Sequence, residues 1–131
     1  MICTATTARE PVLLGEWVSP GQHVNAVGSN FLAKAEIDVE VIRKSNVVAI
    51  DSKDQGRLEA GDLVAALDQG VIEWLDVAEL GRVVAMRAPG RESPEDVTLF
   101  KSLGIGLEDV AVAARVVEKA VAAGVGRTIE W

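Results

Sequence analysis

Short apolar runs, punctuated by glycine, proline and small polar residues, alternate along this 131-residue chain with stretches of helical spacing. Residues 2–7 read as a Thr-rich strand. Residues 11–17 read as one helical turn, closed by the turn signal Ser19-Pro20-Gly21. A second strand over 23–27 stops at Gly28-Ser29-Asn30. A short helix follows, with Asp38 as its N-cap, Glu40 in its first turn and Arg43-Lys44 in its last, the order the macrodipole favours. Ile37 and Ile42 stand at the two positions of a hydrophobic staple around that cap. The third strand, 46–50, runs into Asp51-Ser52; its Val47-Val48-Ala49-Ile50 is apolar throughout, as strands buried on both faces of a parallel sheet are. Helices are predicted over 58–67, ended by Gly70, and over 77–84. A polar loop over 87–94 and a fourth strand over 97–100 come next. The longest helix, 107–123, carries an apolar stripe of Leu107, Val110, Ala111, Ala114, Val117 and Val121, with Gly124 just beyond its end.

Strand, crossover helix, strand is the βαβ pattern, and right-handed crossovers make the strands parallel, so the expected class is α/β. In such sheets ligands bind beyond the carboxyl ends of the strands. Those ends are Thr6-Thr7, Val27-Gly28-Ser29-Asn30, Asp51-Ser52 and Lys101-Ser102, which are expected along one rim. Small and hydroxyl-bearing residues dominate it, so a ligand can come close to the backbone.

Composition narrows the choice. Hydrophobic residues make up 49% and charged residues 25%, enough apolar surface to offset ordering entropy, which excludes disorder. The length suits one domain, taken as residues 1–131. Aromatics are sparse (Trp17, Phe31, Trp74, Phe100 and Trp131) and Tyr is absent, which favours helix-on-sheet layers over an aromatic-rich β sandwich. A net charge of −7 lacks the basic footprint of a nucleic-acid binder, so no nucleic-acid partner is expected. No apolar run approaches the roughly 18 residues of a membrane span, and the first residues lack the basic and apolar regions of a signal peptide. No membrane partner is therefore expected, and the expected location is cytoplasmic. Cys3 stands alone, giving neither a disulfide framework nor a Cys-rich zinc site; no metal is expected.

Local motifs add little. Gly104-Ile105-Gly106-Leu107-Glu108-Asp109 fails as a dinucleotide loop at its third glycine and puts two acids where pyrophosphate would sit. His23 has no nucleophile and acid at triad spacing and reads as a residue opening a strand. Glu36, Asp38 and Glu40 read as helix-start charges rather than metal ligands. Lys34 is either a solvated lysine or a charge aimed at the rim, and Met86 and the tryptophans read as core or interface residues.

Taken together, several strings resemble one family. Ile2-Cys3-Thr4-Ala5-Thr6-Thr7, His23-Val24-Asn25-Ala26-Val27-Gly28-Ser29-Asn30, Asp51-Ser52 with Glu59-Ala60-Gly61-Asp62, and Val97-Thr98-Leu99-Phe100-Lys101-Ser102-Leu103-Gly104 before Leu107-Glu108-Asp109 are similar to the ornithine cyclodeaminase/mu-crystallin proteins, in order and with fitting spacing. The resemblance implies an enzyme using NAD or NADP at the carbon–nitrogen bond of an amino or imino acid. It implies that Thr6, Val24, Asn25, Ala26, Val27, Lys34 and Ser102 match cofactor-contacting positions, and that Asn30, as the catalytic position, and Leu103 face the substrate. Position 30 is Asn, where the cyclodeaminase has an Asp acting in proton transfer. An amide cannot shuttle a proton as a carboxylate does, so ketimine or pyrroline-2-carboxylate reduction, or alanine dehydrogenation, is implied ahead of ornithine cyclisation. The resemblance also makes these strands the second half of a doubly wound Rossmann-like sheet with flanking helices. The glycine loop, the ribose-binding acid and the substrate domain have no counterpart in this chain. Two consequences are expected: weak or absent cofactor binding by the chain alone, and association into homo-oligomers through the open edge of the first strand. A non-catalytic paralogue serving as a binding module is the alternative from another class.

Overall fold

The computed structural model describes residues 1–129, so Trp131, read above as core or interface, lies outside the described residues. Among these residues five parallel strands form one sheet: β1 (Ile2–Thr4), β2 (His23–Ala26), β3 (Ser45–Ile50), β4 (Val77–Glu79) and β5 (Val97–Lys101). Their spatial order is β1-β2-β5-β3-β4. A 3-10 turn (Gly15–Trp17) and helices α1 (Val39–Lys44), α2 (Lys53–Glu59), α3 (Gly61–Asp68), α4 (Leu80–Val84) and α5 (Gly106–Ala123) connect and follow them.

The uninterrupted apolar run of β3 is explained by its place. It is paired on both sides, with Val48 level with Leu99 of β5 and Val77 of β4. Val24, Ala26, Val48, Ile50, Val77 and Leu99 turn one way and are buried against Ile37, Val41, Ile42, Leu63 and Ala66. Alternation sends Val47, Ala49 and Phe100 to the other face, where Leu80 and Val83 of α4 meet them. This side switch follows from topology. The chain steps outward from β3 to β4 and then back to β5, and a right-handed crossover that reverses direction must use the opposite face.

The expected caps form. Asp38 begins α1 and accepts from Val41 N–H at 3.0 Å, while the same oxygen takes Gly15 N–H at 2.9 Å and so ties the 3-10 turn to the helix.

Two expectations change. The helix expected over 58–67 is two helices that meet at Ala60, the first beginning at Lys53 under a Ser52 cap that accepts from Gln55 N–H. Gly61 starts α3 at a point where a Cβ would lie 2.5 Å from the Phe31 carbonyl oxygen and 2.8 Å from that of Leu32, so the second helix begins only where the backbone can be approached this closely. The helix expected over 77–84 opens as strand β4, because the edge of β3 needs a hydrogen-bonding neighbour and Val77 fills the core; only Leu80–Val84 is helical.

The long helix is present over nearly its expected span, closed by Gly124 in the left-handed conformation. None of its residues is buried. Val110 is 68% exposed and Val117 62%, although Leu107, Val110, Ala114, Val117 and Val121 are spaced alternately three and four apart, the pattern of a packing seam. Trp17 and Met86 are likewise exposed, Met86 with φ +55°, while Trp74 packs partly against the core and under the Arg57 guanidinium. No helix among the described residues is long and apolar enough to cross a membrane.

Candidate functional site

The carboxyl ends of four strands meet along one rim, joined by hydrogen bonds that belong to no strand ladder. Val27 N–H donates to the Thr4 carbonyl at 2.9 Å, and Ser102 N–H to the Ala26 carbonyl at 3.0 Å. Asp51, at the end of β3, stitches on the turn after β5. Its Oδ2 accepts from Leu103 N–H at 2.6 Å, Gly104 N–H at 3.0 Å and the Ser102 hydroxyl at 3.3 Å, while Oδ1 accepts from Ser52 N–H at 3.0 Å. Gly104, at φ +76°, then turns the chain away toward α5, a conformation that glycine adopts without strain.

A second carboxylate does the same for β1 and β2. Glu36 is wholly buried, accepting at Oε1 from Thr6 N–H (2.5 Å) and at Oε2 from Gly28 N–H (2.7 Å) and the Thr4 hydroxyl (2.9 Å). Burial pushes this carboxyl up. The backbone donors of Thr6 and Gly28 and the hydroxyls of Thr6 and Thr4 outweigh that and hold it below its ordinary value. Gly28 leaves no room for a Cβ, which would overlap the Thr6 backbone and the Glu36 carboxylate.

Beneath the rim lies an ion pair with no solvent exposure. Lys101 Nζ is 2.8 Å from Asp62 Oδ2 and also donates to the carbonyls of Ser29 and, at 3.4 Å, Ala26. Asp62 Oδ1 accepts from Glu36 N–H at 2.5 Å and Ile37 N–H at 3.2 Å; among the described residues the ammonium is the one partner of its other oxygen.

These contacts bring Thr6, Val27, Asn30 and Ser102 to one side of the sheet. Thr6 and Asn30 are exposed, Val27 is 42% exposed, and Ser102 and Lys34 are half-buried. Val24 and Ala26 differ: their side chains are in the core and β2 is laddered on both sides, so a ligand would meet these residues only through remaining backbone atoms. Asn25 points to the opposite face of the sheet, where it accepts from His23 Nε2 at 3.0 Å and donates to Cys3 Sγ at 3.5 Å. The Leu103 side chain is buried in the core cluster, and its N–H is held by Asp51.

Sequence reasoning set Lys101 on the ligand rim, where the structure buries it, gave no hint of its ion pair with Asp62, and took Glu36 for a helix-start charge. The signal was present for Glu36: it lies two residues before the N-cap, too early to serve the α1 dipole. Nothing comparable marks Lys101, because burial of a charge depends on a partner brought in by the fold.

Carboxylates already take part of the rim's donor set. The backbone N–H groups at the strand ends, which would otherwise attract an anion, already hold Glu36 and Asp51. Hydroxyl, carboxamide and apolar groups are left facing outward.

An alanine dehydrogenase of Archaeoglobus fulgidus is 40% identical over 132 residues, covering 100% of this chain and 40% of that enzyme. The structure of Thermococcus litoralis Delta(1)-pyrroline-2-carboxylate reductase in complex with NADH and L-proline superposes with a TM-score of 0.82 at 40% identity, over 98% of this chain and 40% of that one. An archaeal alanine dehydrogenase dimer with bound NAD gives a TM-score of 0.80 at 40% identity, over 99% and 41%. The chain thus spans about 40% of the length of the curated relatives it matches. The family model for the ornithine cyclodeaminase/mu-crystallin family matches residues 1–124, and the chain belongs to that family.

Proposed function

We propose that the protein is a nicotinamide-dependent oxidoreductase acting on the carbon–nitrogen bond of an amino or imino acid, of the ketimine or pyrroline-2-carboxylate reductase or alanine dehydrogenase type. In this reading the chain supplies the second half of a doubly wound sheet and the wall facing the nicotinamide. The observation that carries it is the convergence of Thr6, Val27, Asn30 and Ser102 on one rim, where the N–H groups of Thr6, Gly28, Leu103 and Gly104 are already taken by Glu36 and Asp51. NAD or NADP, when bound, supplies the hydride chemistry. The chain's own residues do the rest. Val27 gives the ring an apolar face, and the Thr6 hydroxyl offers a polar contact beside it. The Ser102 hydroxyl donates to Asp51, which leaves its lone pairs to accept from an amide N–H. Asn30 orients the substrate by hydrogen bonds and does not carry a proton. Lys34 places a positive charge at the rim's edge, suited to a substrate carboxylate or a cofactor phosphate.

The test is a titration of the isotopically labelled chain with NADH. The expected result is weak binding, because the chain contains no Gly-x-Gly-x-x-Gly loop before a helix. Resonance shifts are expected at Thr6, Val27, Asn30 and Ser102. Shifts centred on Asn46 and Asp96, at the opposite end of the sheet, would overturn the reading, and submicromolar binding in calorimetry would overturn the expected weakness. Oxidation of NADH with pyrroline-2-carboxylate and other cyclic imines, against redox-neutral ammonia release from ornithine, separates the reductase from the cyclodeaminase.

The proposed assembly is a homo-oligomer. The uncovered seam of α5 supports it. A clean monomer in light scattering across concentration would refute it.

A further inference from the structure

Lys101 ends the central strand and turns its ammonium into the interior, where a charge needs a partner or a hydrogen bond on every side. It finds Asp62 on α3 and the carbonyls of Ala26 and Ser29. Those two carbonyls open the segment that leads from β2 to α1 and carries Asn30 and Lys34. Asp62 spends its other oxygen on the N–H groups of Glu36 and Ile37, which close the same segment. Between these grips the Ser29 hydroxyl donates to the Lys34 carbonyl at 3.0 Å, Lys34 N–H donates to the Phe31 carbonyl at 3.0 Å, and the bare backbone of Gly61 lies against the Phe31 and Leu32 carbonyls. One buried ion pair therefore holds both ends of a single segment. Stability alone does not call for such a pair, because apolar side chains of similar volume fill a buried site at least as well. What apolar side chains cannot do is fix the direction of two carbonyls and two N–H groups.

We propose that Lys101 and Asp62 are positioning residues that set the 27–35 segment in one arrangement, so that Asn30 and Lys34 stand ready at the rim before any ligand arrives. The consequence for catalysis rests on the nicotinamide reading above; the grip on the segment does not.

The test compares Lys101→Met, Asp62→Leu and the double variant with the wild-type chain, following amide exchange residue by residue. Either single change leaves a buried charge without its counter-charge, together with unfilled carbonyl acceptors (Lys101→Met) or unfilled N–H donors (Asp62→Leu), and is expected to lower the denaturation midpoint. The double variant removes both charges, leaves the Ala26 and Ser29 carbonyls and the Glu36 and Ile37 N–H groups without these partners, and is expected to fold with lower stability. In it, the Gly28 and Lys34 amides should exchange about tenfold faster or more relative to those of β3. NADH should still shift Ser102 and no longer shift Asn30. A double variant whose Gly28 and Lys34 amides keep their wild-type protection relative to β3 overturns the proposal. So does one that does not fold, since the pair would then serve the whole domain. If NADH shifts no rim resonance even in the wild-type chain, the nicotinamide reading fails while the exchange result still decides the role of the pair.

Discussion

Replacing Glu36 by Gln keeps the shape of the side chain and removes one acceptor. The wild-type carboxylate accepts from the Thr4 hydroxyl and from two backbone N–H groups that have no other partner among the described residues. The carboxamide must turn its NH2 toward either Thr6 N–H or Gly28 N–H, setting donor against donor in a site without water access. An orphaned buried donor costs about 1–3 kcal/mol, and the bonds that remain lose their charge assistance, so about 2–4 kcal/mol is expected in all. With a urea slope of about 2 kcal/mol per molar, the middle of the usual range, the midpoint should fall by about 1–2 M. The loss should also depend on pH, with a definite sign. The folded-state carboxyl lies below its ordinary value, so its stabilisation is whole above the ordinary carboxylate range and disappears as pH falls through the folded-state value. Gln does not titrate, so the gap between the two proteins should close on acidification. Urea melts followed by tryptophan fluorescence at neutral pH and at pH about 3 read both effects. Equal midpoints at neutral pH, or a gap that is the same at both, would refute the account of Glu36.

Gly28→Ala should act through the same clamp: its Cβ has nowhere to go but into Thr6 and Glu36, so amide exchange at Thr6 should rise along with a loss of stability. Leu99→Ala, in the central strand and 1% exposed, should cost about 2–5 kcal/mol in chemical denaturation, and a smaller loss would mean that the sheet collapses around the gap. Val110→Glu with Val117→Glu on α5 should leave the unfolding free energy within about 0.5 kcal/mol of wild type, because both side chains are already exposed, while light scattering should show less association. A large stability loss would mean that α5 packs on this same chain.

The parts of the fold that follow from local chemistry were legible in the sequence. Asp38 caps α1 because a carboxylate at that position satisfies free N–H groups whatever surrounds it, and the Val47–Ile50 run can only be a strand with neighbours on both sides. Where two elements compete for one segment, the sequence was less informative. Residues 77–79 are apolar enough for a helix and become a strand because β3 has an open edge. The stripe on α5 has the spacing of a core helix and is exposed, since spacing says that a face is apolar and not what covers it. The rim was foreseen from strand ends and small residues. Its internal supports were not, because Glu36, Asp62 and Lys101 are interior mainly by virtue of contacts spanning 25 to 75 positions of chain.

Of the described strands, the one at the middle of the sheet comes last along the chain. Until residue 97 leaves the ribosome, β2 and β3 face each other across an empty lane, each with bare backbone along that side. Only the arrival of β5 fills the lane, and it brings the counter-charge for Asp62 with it. Such a chain gains its centre in one late, long-distance step, the kind of closure that is slow and leaves sticky strand borders waiting. Holding factors that shield those borders during synthesis should therefore matter more for this protein than for one whose sheet grows from one side, and chains released before residue 97 should be cleared rather than rescued.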